Sequence, residues 1–260
     1  MKPSKPFYLI PLMAVFISCT SPTPELKIMH QVTGAIETNC YLIYDSETLE
    51  AALIDVGDAI DTLLPQIESH GLNVEYILCT HGHIDHVYGV PAIRELFPDA
   101  KTVIHRLDYT DLWTQGAWVE ANMDAETLEW MKSDPDIKKF FDFDPATFGE
   151  PDILIEDGQE LPLGHFTIRV IHSPGHSPGS VCYLVDGKLF SGDVLFYRSV
   201  GRTDVQHSSR DDQIRSVQRL YEILPDSTPV YPGHGQFTDI GSEKTGNSRI
   251  KADTVTWWQP

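Results

Sequence analysis

The chain has 260 residues, 41% of them hydrophobic and 22% charged, with 18 Gly and 18 Pro and no low-complexity tract. That length supports a sizeable core, as one large domain or two closely packed halves. The formal net charge of −19 argues against a nucleic-acid partner, because phosphate binding needs a basic surface.

The first residues read as separate from the fold. Lys2 and Lys5 precede an apolar run from Phe7 to Ile17 that is too short to span a bilayer as a helix. Ser18-Cys19 follows, and this is the layout of an export signal. Phe16-Ile17-Ser18-Cys19 resembles a bacterial lipobox, in which the cysteine is lipidated and becomes the new N-terminus. The expected organisation is a lipoprotein-type signal peptide over 1–18, a tether over 19–24 that is extended through Thr20 to Pro24, and one domain over 25–260. The expected location is the bacterial cell envelope, with membrane contact only through a lipid on Cys19. A plain signal peptide, giving a periplasmic or secreted protein, is the alternative.

Glu25–Val32, Cys40–Tyr44 and Ala51–Val56 read as strands, the last ending in Asp55-Val56-Gly57-Asp58. Ala59–His70 places Ile60, Leu63, Leu64 and Ile67 at helical spacing, and Gly71 stops it. Tyr76–Cys79 is a strand, Val87–Phe97 a helix with Pro91 in its first turns, and Thr102–His105 another strand. This alternation predicts an α/β layer architecture. Residues 107–150 break the rhythm. Trp113, Trp118, Trp130, Met123, Met131, Phe140, Phe141, Phe143 and Phe148 stand among many acids and predict two or three short helices. Two readings of that insertion stand side by side: helices packed on the core, or an aromatic lid over an active site.

Downstream, Asp152–Ile155, Phe166–His172, Ser180–Val185 and Lys188–Ser191 read as strands, with Asp186-Gly187 as a tight hairpin turn. Arg210–Leu224 is an amphipathic helix and Pro229–Tyr231 a last short strand. The order suggests two similar halves face to face. Cys40, Cys79 and Cys182 each lie in an apolar, strand-like run with no C-x-x-C pair. They read as small buried hydrophobes, with a disulfide between two of them as the alternative.

The chemistry concentrates after the strand Tyr76–Cys79. Thr80-His81-Gly82-His83-Ile84-Asp85-His86 holds three imidazoles and a carboxylate in one strand-ending turn, which can aim several ligands at a point. Neutral imidazole and carboxylate are the usual ligands of zinc and non-haem iron. His176, Asp193 and His234 recur downstream in Pro174-Gly175-His176, Ser191-Gly192-Asp193 and Pro232-Gly233-His234-Gly235. Each follows a strand, beside glycines that allow a sharp turn. Together these are five His and two Asp.

These strings, with Glu37-Thr38-Asn39-Cys40-Tyr41-Leu42, Gly201-Arg202-Thr203-Asp204 and Ile240-Gly241-Ser242-Glu243-Lys244 followed by Asn247, resemble the metallo-β-lactamase-fold superfamily. Within it they look most like the glyoxalase II-like (hydroxyacylglutathione hydrolase-like) hydrolases. The resemblance covers residues 26–105 and 151–250 and leaves 107–150 unexplained. It implies a four-layer αββα sandwich of the α/β (α+β) class with a helical insertion, and metals at one edge between two sheets. It implies two metal ions, zinc, with iron or manganese as alternatives. One would take His81, His83 and His176, the other Asp85, His86 and His234, and Asp193 would bridge them. The implied chemistry is cleavage of a thioester or related acyl bond in a small-molecule substrate by a hydroxide held between the two metals, with Asp85 as the catalytic group that orients it. Asp55 is expected to hold a ligating histidine. Arg202 has two readings, facing the substrate's anionic part or pairing with Asp204; Arg198 and Lys244 share the first.

Two other activities fit the resemblance. One is persulfide dioxygenation at a single iron held by His81, His176 and Asp193. The other is a lactonase or lactamase acting on a more apolar substrate, which the Trp-rich insertion would suit. Pro232-Gly233-His234-Gly235 fits the hydrolases better than the dioxygenases.

Overall fold

The computed structural model describes residues 23–250. The expected export signal, Cys19 and most of the tether lie outside the described residues. No helix among the described residues is long and apolar enough to cross a membrane.

The first half builds a six-stranded sheet from β1 (Leu26–Thr33), β2 (Thr38–Asp45), β3 (Glu50–Ile54), β4 (Asn73–Leu78), β5 (Lys101–His105) and β6 (Ile153–Ile155), in that spatial order. The first three pair antiparallel and the rest parallel. Parallel pairing needs crossovers. These are α1 (Leu64–His70) between β3 and β4, then α2 (Ile84–Val87) and α3 (Val90–Leu96) between β4 and β5. The last crossover, from β5 to β6, is the insertion, with α4 (Arg106–Asp111), α5 (Gln115–Asn122), α6 (Ala125–Ser133) and α7 (Pro135–Phe141).

The second half contributes β7 (Glu160–Leu163), β8 (Phe166–His172), β9 (Val181–Val185), β10 (Lys188–Gly192), a small hairpin of β11 (Leu195–Phe196) and β12 (Ser199–Val200), β13 (Pro229–Pro232) and β14 (Thr238–Asp239). Its six-stranded sheet runs β14-β13-β10-β9-β8-β7. The parallel pair β10 and β13 is joined through α8 (Arg210–Ile223), and α9 (Ile240–Gly246) follows β14.

Side-chain alternation along the strands explains the layers. On β2, Tyr41 and Ile43 point between the sheets and meet Val170, Tyr183 and Phe190 of the second half. Cys40, Leu42 and Tyr44 point the other way, toward Ile60, Ile67 and Ile93. On the far side, Cys182, Leu189 and Val230 pack under Val217 and Leu220 of α8 and Ile240 of α9. Three apolar seams thus separate helix, sheet, sheet and helix, the four-layer sandwich expected. Cys40, Cys79 and Cys182 are buried and free, so none pairs in a disulfide. The Asp186-Gly187 turn has φ of 48° and 70°, as a tight hairpin requires.

Several boundaries differ from the sequence reading. The helix expected from Ala59 begins at Leu64, because Gln31 Oε1 accepts the N–H of Thr62 at 3.0 Å and of Leu63 at 3.3 Å and holds the preceding turn. Pro65 then fits the first helical turn. The helix expected over Val87–Phe97 splits at Gly89, whose N–H donates to the Val56 carbonyl at 2.9 Å. The insertion forms four helices and a 3-10 turn (Pro145–Phe148), more than the two or three expected. Asp124, Asp134 and Asp144 each cap a new start with a side-chain oxygen. Acids that look like solvating charge in the sequence are N-caps in the fold. β7, the β11–β12 hairpin, β14 and α9 were not anticipated; they are too short for periodicity to reveal.

At the sheet end away from Thr38, Asp45 joins the two halves. Its buried carboxylate accepts the backbone N–H of Glu47 (2.8 Å) and His165 (2.6 Å) and faces His165 Nδ1 at 2.8 Å. Burial alone would raise its pKa, but the His165 and Glu47 N–H groups and the His165 ring outweigh that and lower it to about 2. The folded value lies below the ordinary 3.8, so this carboxylate stabilises the fold above pH 4 and the gain is lost as pH falls through 2. Asp45→Asn is therefore expected to cost about 1–2 kcal/mol at neutral pH. Urea unfolding of both proteins should show that gap closing between about pH 4 and 2.

Candidate metal centre

The strands of both sheets end at one edge, and the turns beyond them converge there. Asp55 follows β3 and sits at φ 55°, an uncommon conformation for a residue with a side chain. It is held there by use: Oδ1 accepts the Thr80 N–H at 2.8 Å, Oδ2 accepts the Thr80 hydroxyl at 2.7 Å, and Oδ2 faces His86 Nδ1 at 3.0 Å. β4 feeds the turn with His81 and His83, and α2 then carries Asp85 and His86 on one short turn of helix. From the second half, the turn after β8 brings His176, the end of β10 brings Asp193, and the turn after β13 brings His234.

All seven side chains meet. They form three overlapping groups: His81, His83 and His176; His81, His86 and Asp193; and Asp85, His86 and His234. Within each group the ligand atoms lie within 4.8 Å of one another. Asp193 faces both ends of the cluster. Its Oδ1 lies 3.4 Å from His86 Nε2, and its Oδ2 lies 3.4 Å from His176 Nε2 and 3.6 Å from His234 Nε2. Asp85 Oδ2 lies 3.4 Å from Nε2 of both His86 and His234. His81 and His86 are buried, and His234 keeps 23% of its side chain exposed.

The donor atoms fit a metal better than they fit each other. His83 Nδ1 faces His176 Nε2 at 2.8 Å, and His86 Nε2 faces His234 Nε2 at 3.1 Å. His81 Nε2 and Asp193 Oδ1 are buried and find no hydrogen-bond partner. A buried polar atom left unpaired is costly. A cation held among these nitrogens and carboxylates would satisfy both orphans and every facing pair. The set is all nitrogen and oxygen, which suits zinc, iron or manganese.

The outer nitrogens are also anchored, as metal-binding imidazoles require. His81 Nδ1 meets the Thr80 hydroxyl at 3.1 Å, His176 Nδ1 the Arg202 carbonyl at 2.8 Å, and His234 Nδ1 the Glu37 carbonyl at 3.2 Å. The Thr38 hydroxyl donates to Asp85 Oδ2 at 3.2 Å. Gly233 has no room for a side chain: a Cβ there would stand 2.2 Å from Asp193 Oδ1. Burial holds His81 well below the usual imidazole range and lowers His83 to about 3 and His176 to about 4, so all three are neutral and able to ligate. Burial would do the same to His86, but Asp85, Asp193 and Asp55 outweigh it and raise His86, so a cation bound at Nε2 would take the place of a proton. On Asp85 burial is outweighed by His86 and His234, and its carboxyl is lowered.

Of the polar residues named as substrate contacts, Arg202 lines the cavity beside the centre, while Arg198 and Lys244 are engaged elsewhere. Arg202 clasps Asp204 through Nε (2.6 Å) and a terminal nitrogen (2.8 Å), and its backbone rather than its side chain reaches His176. The Arg198 guanidinium donates to the Ser242 carbonyl, and Lys244 pairs with Asp226.

Asp108, in the first helix of the insertion, was missed. It is buried, and its Oδ2 accepts the Gly82 N–H at 2.9 Å and the Ser177 hydroxyl at 2.6 Å, while Oδ1 accepts the Gly179 N–H at 2.5 Å. One carboxylate thus ties the His81–His83 turn to the His176 turn. Burial pushes it up to about 6 in spite of those donors. In the sequence Asp108 is one acid among many; only its place three residues after a strand-ending His105 sets it apart.

Known proteins resemble this chain in sequence and in fold. The metallo-beta-lactamase superfamily profile matches residues 33–234. The hydroxyacylglutathione hydrolase GloC of Haemophilus influenzae is 32% identical over 216 residues, spanning 82% of this chain and 92% of its own length. The crystal structure of the BLEG-1 B3 metallo-beta-lactamase aligns with a TM-score of 0.66 at 32% identity, covering 85% of this chain and 98% of its own. The structure of TTHA1623 in a di-iron-bound form gives the same TM-score and coverage at 33% identity.

Proposed function

The chain belongs to the metallo-beta-lactamase superfamily, and from that premise we propose that this metallo-hydrolase cleaves a thioester at a two-metal centre. His81, His83 and His176 would hold one ion in this reading, Asp85, His86 and His234 would hold the other, and Asp193 would be shared by both. The observation that supports it is Asp193 itself, with one oxygen toward His86 and the other toward His176 and His234. A single-iron centre on His81, His176 and Asp193 would give Asp85, His86 and His234 no shared task. Bound metals in such a pair supply Lewis acidity toward a carbonyl oxygen and a water acidic enough to attack at neutral pH.

The chain's own residues do the rest. Asp85 keeps its carboxylate, fixed by the Thr38 hydroxyl, and can accept a hydrogen bond that orients the attacking water. Asp55 and Thr80 lock His86 and His81 so that their Nε2 atoms stay aimed inward. No Lys, Tyr or Cys lines the cavity around the centre among the described residues. That suits a leaving group that departs without a proton donor, and a thiolate does so readily, since thiol pKa values lie near 8.5. In the reaction water adds to the acyl carbon, the C–S bond breaks, and an acid and a thiol are released. The similarity to GloC supports the same bond class.

The test is thiol release by the full chain from S-lactoylglutathione and from simple acyl thioesters, with metal content measured on the same sample. Turnover that scales with metal content is the expected result. Absence of turnover on every thioester, with about two ions bound per chain, would overturn the reading.

A further inference from the structure

A cavity of about 930 Å³ opens onto the metal centre and includes His83, Asp85, His176, Asp193 and His234 in its lining. Its size is at the upper end for small-molecule sites. Much of the remaining wall comes from the insertion: Trp118 and Val119 of α5, Met123 at its end, Met131 of α6, and Ile137 and Phe141 of α7. Ile36, Ile84, Phe196, Val200 and Val205 add apolar lining from outside it.

These insertion residues have little other employment. α6 has no buried residue, and in α5 only Gln115 is buried. Gln115 donates to the Gly82 carbonyl at 2.6 Å, which pins α5 beside the histidine turn. The other end is pinned by Lys139, ion-paired with Asp58, and by Phe140, packed edge-on against Tyr88 with centroids 5.5 Å apart. The span between the pins turns its apolar side chains to the cavity. Outside the ligand set the charged lining is Arg202, bound by Asp204, and Arg249. A hydrocarbon gains burial against all of the apolar walls.

We propose, resting on the thioesterase reading above, that this cavity is an acyl pocket and that the substrate is a thioester of an unbranched, medium-length apolar acid. The chain lies under α5–α7, the carbonyl carbon sits at the metal centre, and the polar thiol carrier stays at the mouth. Hydrolysis then gives the free fatty acid and the free thiol.

Two series test this. The first is cleavage of N-acetylcysteamine thioesters from acetyl through butanoyl and hexanoyl to decanoyl by the metal-loaded full chain. The second is calorimetric binding of the uncleavable S-alkyl-N-acetylcysteamine thioethers, with and without metal. Both kcat/KM and affinity should climb about threefold to fourfold per methylene until the pocket fills. Trp118→Ala and Met131→Ser should flatten both series and lower the decanoyl-to-acetyl ratio about tenfold or more. Thioesters cleaved with no dependence on chain length, or S-lactoylglutathione preferred to decanoyl thioester, overturn the acyl pocket and leave the thioesterase standing. Thioether affinity that climbs while no thioester is cleaved supports the pocket and sinks the thioesterase. A climb unchanged in both variants overturns the assignment of the pocket to the insertion.

Discussion

Asp193→Ala should reduce bound metal from about two ions per chain to one or fewer, and thioester cleavage by roughly a thousandfold or more. The magnitude follows from what the carboxylate alone supplies. It is buried, it faces His86 on one side and His176 and His234 on the other, and one of its oxygens accepts no hydrogen bond. Without it, cations held by the two ligand sets would share no carboxylate. Metal-assisted polarisation is worth several kcal/mol, and about 4 kcal/mol corresponds to a thousandfold in rate. Asp193→Asn keeps the shape and loses the charge, so it should hold more metal than alanine and still hydrolyse poorly. Metal analysis and kcat/KM on the same preparations check both, and circular dichroism confirms that the variants fold. Full metal content with unchanged rate in Asp193→Ala would refute the shared carboxylate.

Asp108→Asn should lower the melting temperature by about 5–10 °C and weaken metal binding by about 10-fold to 100-fold. The carboxylate accepts hydrogen bonds on both oxygens, from Gly82 and Ser177 on one and Gly179 on the other. An amide must turn its NH₂ toward one of those sides, where it meets another donor. At least one buried N–H or O–H is then left unpaired, at about 1–3 kcal/mol each. At this chain length 1 kcal/mol moves the melting point by about 2–4 °C. The turns that carry His81, His83 and His176 would lose their common anchor, and outer anchors of metal ligands are worth about 10-fold to 100-fold in affinity. Thermal melts in chelator read the first effect, and competition titrations with a zinc indicator read the second. Asp108→Glu would not rescue, because the site has no room: a Cβ on Gly179 would already stand 2.5 Å from Asp108 Oδ1.

The candidate metal centre was legible because its residues come in dense, glycine-flanked strings at strand ends. Seven ligand candidates stand in four short stretches, and the structure brings all seven to one edge. Asp55 was legible for the same reason, as the acid that closes an apolar run. Asp108 was not, since its partners are the backbone of Gly82 and Gly179 and the hydroxyl of Ser177, and main-chain donors leave no trace in composition. The sandwich followed from strands with alternating or continuous apolar faces, such as β2, which is buried along its whole length. Short elements escaped. β11, β12 and β14 have two residues each, and their place is set by tertiary pairing rather than by a local pattern. The insertion's apolar content was visible, but not its direction. The choice between core packing and a lid depends on which side of α5–α7 faces the centre, and the weak periodicity of those helices does not encode that.

The turn that carries His234 is gripped by the start of β2, almost two hundred residues earlier. Thr38 forms an isolated bridge with His234, the Asn39 N–H donates to the Gly233 carbonyl at 2.7 Å, and the Asn39 amide and Tyr41 hydroxyl both donate to the Pro232 carbonyl. Such separations are among the longest loops the chain closes, and closures of this kind come late and slowly in folding. The last ligand is therefore held in place by contacts between the two halves. A metal bound there works as a latch on the whole molecule, stabilising it by RT ln(1 + [metal]/Kd) and dissociating when the halves part. Removal of the ion is then expected to lower the stability of the folded chain as well as silence its chemistry.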